Sequence, residues 1–142
     1  MSWENLEVVS RIYDAWSRRD PHCEAFYAVD AEFRDLQRAP GAPPVIRGIK
    51  AVKREWVRWL LLVGDVDAEL EDYAEVDDWA IATTRWHADP TPHSARVELR
   101  SVEAFQVADG RLRRTVHGCE SRAQALAAVL RAKRFTPQLA FS

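Results

Sequence analysis

The sequence predicts an α+β domain, a curved antiparallel sheet forming a cone with helices packed on its concave face. Two observations carry this. Apolar residues recur at helical spacing through the first third of the chain, and from Gly64 onward the period changes to two. Helices placed early and a run of strands placed late argue for segregated layers rather than alternating βαβ units. At 142 residues the chain suits one domain spanning 1–142, long enough for a proper core.

In order, Leu6, Val9, Ile12, Tyr13 and Trp16 mark the first helix, with Ser2 as N-cap. Asp20-Pro21 reads as a cap followed by proline at the first helical position, opening a short second helix over about 21–28. Ala31, Phe33 and Asp35 then alternate with Glu32 and Arg34, the pattern of a half-buried strand. The stretch 37–47 holds Pro40, Gly41, Pro43 and Pro44 and reads as an irregular loop. A third helix presents Ile49, Val52, Trp56, Trp59, Leu60 and Val63 on one face. Strands follow over about 66–76, 79–88 and 94–107. Asp109-Gly110 is a tight hairpin signal leading to a last strand over 111–119. The order to this point is α-α-β-α-β-β-β-β. Ser121 with Gln124 resembles a capping box for a final helix over about 122–134.

Several functions are excluded or disfavoured by composition. A net charge of −2 gives no general attraction to nucleic acid or to an anionic membrane surface. No run of about 18 apolar residues exists to span a membrane. The N-terminus lacks the basic and apolar regions of a signal peptide, and the two cysteines show neither CxxC nor framework spacing, so a cytoplasmic location is expected. The five glycines form no phosphate loop, and His22, His87, His93 and His117 show no metal-ligand spacing, so no cofactor or metal is expected.

What does point to chemistry is polarity on faces that should be apolar. Glu103 interrupts the row Val97, Leu99, Ser101, Phe105, Val107, and a carboxylate there must be paired, protonated or open to a cavity. Asp35 ends the face that carries Phe33, either as a turn residue or as an acid at a pocket mouth. His117 joins Glu103 if Thr115 faces inward on the last strand, whereas Leu112 and Val116 define the opposite choice. On the strand over 79–88, either Ala82, Thr84 and Trp86 or Ile81, Arg85 and His87 face the core. Two acids and a histidine among aromatic residues suit acid–base work near neutral pH, because apolar surroundings raise a carboxyl pKa. Each also has a structural reading: a capping aspartate, an ion pair of Glu103 with Arg85 or Arg113, and core tryptophans.

The pattern resembles the SnoaL-like branch of the nuclear transport factor two superfamily, which includes ketosteroid isomerases and has a cystatin-like α+β barrel. The resemblance runs from NLEVVSRIYDAWSRRD through AEFRD and GIKAVKREWVRWL to VEAFQVADGRLRRTVHG and ESRAQALAAVL. It implies Asp35 as general base and Glu103 as an acid at the oxyanion; the residues themselves suggest His117 as a second group polarising that oxygen. Tyr13 lies one residue from the oxyanion tyrosine of the isomerases, and Trp56 stands where they keep a supporting tyrosine. Tyr13, Trp16, Trp56, Trp59, Arg85 and Trp86 would contact the substrate. Similarity to limonene epoxide hydrolase centres on Arg85 in TTRWH, with His87 and His117 in place of its two aspartates.

The resulting expectation is a cofactor-independent isomerase, cyclase or dehydratase acting on a small apolar cyclic or polyketide-like molecule. The alternatives are a non-catalytic ligand-binding or dimerisation module of the same fold and an epoxide hydrolase-like enzyme. The resemblance further implies a homodimer through the outer sheet face, around Arg100, Val102, Ala104 and Val116.

Overall fold

The computed structural model describes residues 3–18, 20, 22–37, 41, 43–63, 65–89 and 97–135. Helix α1 (Trp3–Arg18) is followed by a 3-10 turn (Cys23–Phe26) and strand β1 (Tyr27–Asp35). Strand β2 (Val45–Arg47) and helix α2 (Ile49–Val63) precede the long strands β3 (Asp65–Val76), β4 (Trp79–Asp89) and β5 (Val97–Ala108). Strand β6 (Arg111–Cys119) and helix α3 (Arg122–Phe135) complete the chain's described part.

The strands form one sheet in the order β2-β1-β6-β5-β4-β3. From β3 to β6 it is an antiparallel meander, each strand pairing with the next. Turn chemistry fixes these registers. Asp109 and Gly110 both take positive φ (54° and 72°), the twist a two-residue hairpin requires, so Ala108 faces Arg111.

Where β6 meets β1 the pairing is parallel, with Phe33 opposite Thr115 and Asp35 opposite His117. The sheet is therefore curved and mixed rather than purely antiparallel. The meander returns β6 to the side of β1 in the direction β1 already runs, and no local turn governs that junction. The expected loop over 37–47 also holds a strand: β2 lays Val45, Ile46 and Arg47 against β1, making six strands where five were expected. The expected helix over 21–28 shortens to the 3-10 turn, because Tyr27 already belongs to β1. The N-cap position falls on His22 rather than on the expected Asp20, whose Oδ1 accepts the His22 N–H at 2.8 Å just ahead of the turn, and no side chain caps the turn itself. Pro21 lies outside the described residues, as do residues 94–96 of the expected third long strand.

The two faces of the sheet carry separate cores. On one, Val9, Ile12 and Tyr13 of α1 and Val52 of α2 pack against Ala82, Trp86, Phe105, Val107 and Leu112. On the other, Ala125 and Val129 of α3 pack on Trp79, Ile81, Ala104, Val116 and Cys119. The helices thus divide, α1 and α2 on the concave side and α3 on the outer side. The 3.6-residue spacing of Val9, Ile12 and Tyr13 keeps them on one stripe of α1. Ser17 ties the end of that helix to β3, accepting from the Ala68 N–H at 3.0 Å. At the start of α3 the Ser121 hydroxyl accepts from the Gln124 N–H at 3.1 Å, and the Gln124 side chain takes the Glu120 N–H. Cys23 and Cys119 are free thiols. No helix among the described residues is long and apolar enough to cross a membrane.

Candidate functional site

On the concave face, between α2 and the β1–β6 seam, lies a cavity of about 70 Å³. Helix α2 contributes Val52, Glu55 and Trp56, β1 contributes Tyr27, Phe33 and Asp35, β4 contributes Trp86, and β6 contributes His117. The two polar groups facing each other across the seam, Asp35 and His117, are register partners.

The seam is built by its turn. Asp35 ends β1, and its Oδ1 accepts the Gln37 N–H at 2.9 Å, an Asx turn that stops the strand. The Leu36 N–H donates to the His117 carbonyl at 2.9 Å, extending the pairing one residue further. Opposite them Gly118 has φ +79°, and a Cβ there would stand 2.9 Å from Gln37 Cγ and 3.3 Å from Asp35 Oδ1. Glycine is what lets the two strand ends approach. Both readings of Asp35 in the sequence hold at once: it is the turn residue and it lines the cavity.

Behind His117 lies Glu103, with no exposed surface. Its Oε1 accepts from the Ser101 hydroxyl at 2.9 Å and stands 3.4 Å from His117 Nδ1. Its Oε2 is buried without a hydrogen bond. Ser101 in turn accepts from Trp86 Nε1 at 2.9 Å, so the cavity's tryptophan, Ser101, Glu103 and His117 form one chain of contacts. Burial works to lower the His117 pKa. The charge of Glu103, its hydrogen bond, and then the charge of Asp35 outweigh that and raise it above the ordinary 6.5. With Nδ1 turned to Glu103, Nε2 remains to meet a molecule in the cavity. The ring also stacks on Phe33, centroids 5.9 Å apart, a placement that favours the cationic form.

Tyr13 supports this wall from behind. Its ring meets Trp86 and Phe105 edge-on, each at 5.8 Å, and its hydroxyl accepts from Thr84 Oγ1 at 2.7 Å. Burial, and after it the charge of Glu103, push its pKa well above the ordinary tyrosine value, so it stays neutral.

Of the residues expected at the site, Asp35, His117, Trp56 and Trp86 line the cavity, while Glu103 and Tyr13 sit one layer behind. Arg85 lies on the opposite face of β4, with Nε 2.6 Å from Glu71 Oε1 and 3.1 Å from Glu98 Oε1. That outer placement separates it from His117, so the arginine-centred arrangement of an epoxide hydrolase is not assembled. The alternation that carries Ala82, Thr84 and Trp86 inward carries Arg85 and His87 outward. The side chains of Trp16 and Trp59 lie outside the described residues. Among the residues named for the outer surface, Ala104 and Val116 are buried with Val102 packed beside them, in the core that α3 covers, whereas Arg100 is exposed.

Sequence reading missed Glu55, Tyr27 and Ser101 as parts of the site. Glu55 follows Val52 by three residues and precedes Trp56, a position a helical face count would have flagged. Ser101 was visible as the second polar residue in the inward row of β5.

An antiparallel meander joined to a helix-covered parallel seam, with an acid and a histidine at the seam, defines an α+β cone domain with a small mixed polar and aromatic cavity on its concave face. The family model of the SnoaL-like domain matches residues 9–115, and the chain belongs to that family. Solved structures share the fold at low identity. TerC, co-crystallised with polyporic acid, is 15% identical over 80% of this chain and 89% of its own, with a TM-score of 0.70. A proposed SnoaL-like polyketide cyclase from Jannaschia sp. is 16% identical over 89% of each chain, TM-score 0.70. A protein of ketosteroid isomerase-like fold from Catenulispora acidiphila, in complex with trimethylamine, is 15% identical over 85% of this chain and 90% of its own, TM-score 0.69. No curated protein sequence gives a significant match.

Proposed function

We propose that the protein is a cofactor-independent acid–base enzyme of the isomerase, cyclase or dehydratase type. Its substrate would be a small apolar molecule carrying a carbonyl group. The observation that carries this reading is the pairing of Asp35 and His117 in register on one cavity wall among Phe33, Trp56 and Trp86. Structural neighbours of the same fold, one named as a SnoaL-like polyketide cyclase and one for its ketosteroid isomerase-like fold, lend it support.

In the proposed step the Asp35 carboxylate removes a proton from the carbon next to the carbonyl. The electron pair moves onto the carbonyl oxygen, which receives a hydrogen bond from His117 Nε2–H. Asp35 then returns the proton at a second carbon in an isomerisation, or to a departing hydroxyl in a dehydration. In a cyclisation the enolate carbon instead attacks a second carbonyl of the same molecule, and Asp35 protonates the resulting alkoxide. Glu103 acts through His117, holding the imidazole in place and favouring its cation. A cavity of about 70 Å³ has room for the reacting end of such a molecule, with the remainder extending toward solvent. Drug-sized sites run from about 300 Å³ upward, so a whole steroid would need the wall to move.

The test is turnover of small cyclic enones and 1,3-diketones followed by ultraviolet absorbance. Asp35→Asn should lower the rate about 10²–10⁴-fold, the usual range for a positioned proton-transfer group, while binding persists. An unchanged rate would remove Asp35 from the chemistry. A second reading, a non-catalytic ligand holder, has its own support in the enclosure of Glu103 between Ser101 and His117. It predicts saturable binding with no turnover by the unmodified protein.

A further inference from the structure

The outer face of the sheet holds a second and larger cavity, about 470 Å³, backing the same two strands that carry Asp35 and His117. Its floor is three strands in register. Glu32 lies between Arg47 of β2 and Arg114 of β6, and in the next row Arg34 lies between Val45 and Val116. Its roof is one side of α3, where Gln124, Ala127, Ala128, Arg131 and Ala132 recur at intervals of three and four. The space exists because methyl side chains are too short to fill the gap between helix and sheet. Val129, on the neighbouring stripe of α3, packs into the core with no exposed surface.

Four arginines line this cavity against one carboxylate. Glu32 Oε1 is 3.3 Å from Arg47 Nε and its Oε2 is 3.5 Å from Arg114 Nε, so it already serves two of them. Among the described residues Arg34, on the floor, and Arg131, on the roof, have no acidic partner within 4.0 Å. Guanidinium groups recognise carboxylate and phosphate oxygens through paired hydrogen bonds. Beside the arginines, Leu36 is 37% exposed, and Val45 and Ala128 add further apolar surface.

We propose that this cavity binds an organic anion with an apolar body, such as the carboxylate of an alkyl or aromatic acid. Arg34 and Arg131 hold the anionic head, and the body lies against Leu36, Val45 and the alanines of α3. A second copy of the chain is the poorer occupant. A twofold contact would set the same arginine-rich patch against itself, and like charges juxtaposed across an interface are costly.

The experiment is calorimetric titration of decanoate, below its micelle concentration and at low ionic strength, into the full chain. Saturable 1:1 binding is expected. The exposed double variant Arg34→Gln/Arg131→Gln should weaken it about tenfold or more, as loss of charge-assisted hydrogen bonds does. Ala127→Leu, which fills the space without changing charge, should also weaken it, and thermal unfolding checks that both variants remain folded. Asp35→Asn should leave decanoate affinity unchanged, separating this cavity from the concave one. Non-saturable heats, unaltered affinity in the arginine variant, or equal binding of neutral decanol would each overturn the proposal. So would a dimer in sedimentation equilibrium that dissociates in the arginine variant while decanoate does not bind, because the face would then be an interface between copies.

Discussion

Glu103 is the residue on which the site's electrostatics turn. A carboxylate with no exposed surface is costly unless paired, and it has a hydroxyl and an imidazole on one oxygen and no hydrogen bond on the other. The sequence marked Glu103 because it breaks an apolar row, and the same row contained Ser101. His117 was less legible. Inward-facing residues on β6 run Leu112, Thr115, His117, and this row changes parity where the register shifts, so simple alternation misassigns one end of it. The raised His117 pKa makes a prediction about stability. A group whose folded pKa lies above its unfolded value contributes fully below the unfolded value and loses that contribution as pH rises through the folded one. The protein should therefore lose stability as pH climbs from 6.5 through the raised His117 value. Urea unfolding across this range should show a slope that His117→Gln flattens. Equal slopes in the two proteins would mean the Glu103–His117 pair does not stabilise the fold.

At the scale of elements, the seam between β1 and β6 decides whether a site exists. Local patterns predicted every long strand, because period-two alternation and the Asp109-Gly110 turn are written in neighbouring residues. The parallel seam and the three-residue β2 were not legible, since both depend on partners distant in sequence and β2 sits in a proline-rich stretch. Gly118 is the point where the seam can be tested. Gly110→Ala meets positive φ with nothing within 4 Å of the new Cβ, so its cost is backbone strain alone, about 1–2 kcal/mol. Gly118→Ala adds to similar strain a contact at 2.9 Å with Gln37 and one at 3.3 Å with Asp35. It should cost more than Gly110→Ala in chemical denaturation and should shift the imidazole resonances of His117 in NMR spectra. Equal costs with His117 unmoved would show that the turn at Asp35 adjusts without involving the site.

Across the whole molecule, one sheet separates two cores, and the candidate catalytic groups belong to only one of them. Helix α2 on the concave side closes the cavity beside Asp35 and His117, whereas α3 on the outer side contributes stability and the roof of the arginine-lined space. This division allows stability and site chemistry to be changed independently. Val129 is wholly buried against Trp79, Ile81 and Val116. Truncation to alanine removes two carbon atoms and leaves a void, a loss of about 2 kcal/mol from transfer and cavity contributions together. Because the strands are shared, that loss should be felt globally. Tryptophan fluorescence and far-ultraviolet circular dichroism should report coincident urea transitions, both moved to lower denaturant. The Asp35-dependent rate should meanwhile stay unchanged below the transition. Separated transitions would mean α3 and the outer core unfold on their own. A reduced rate in the folded protein would mean that the packing under α3 sets the position of β6, and through it His117, despite lying on the far side of the sheet.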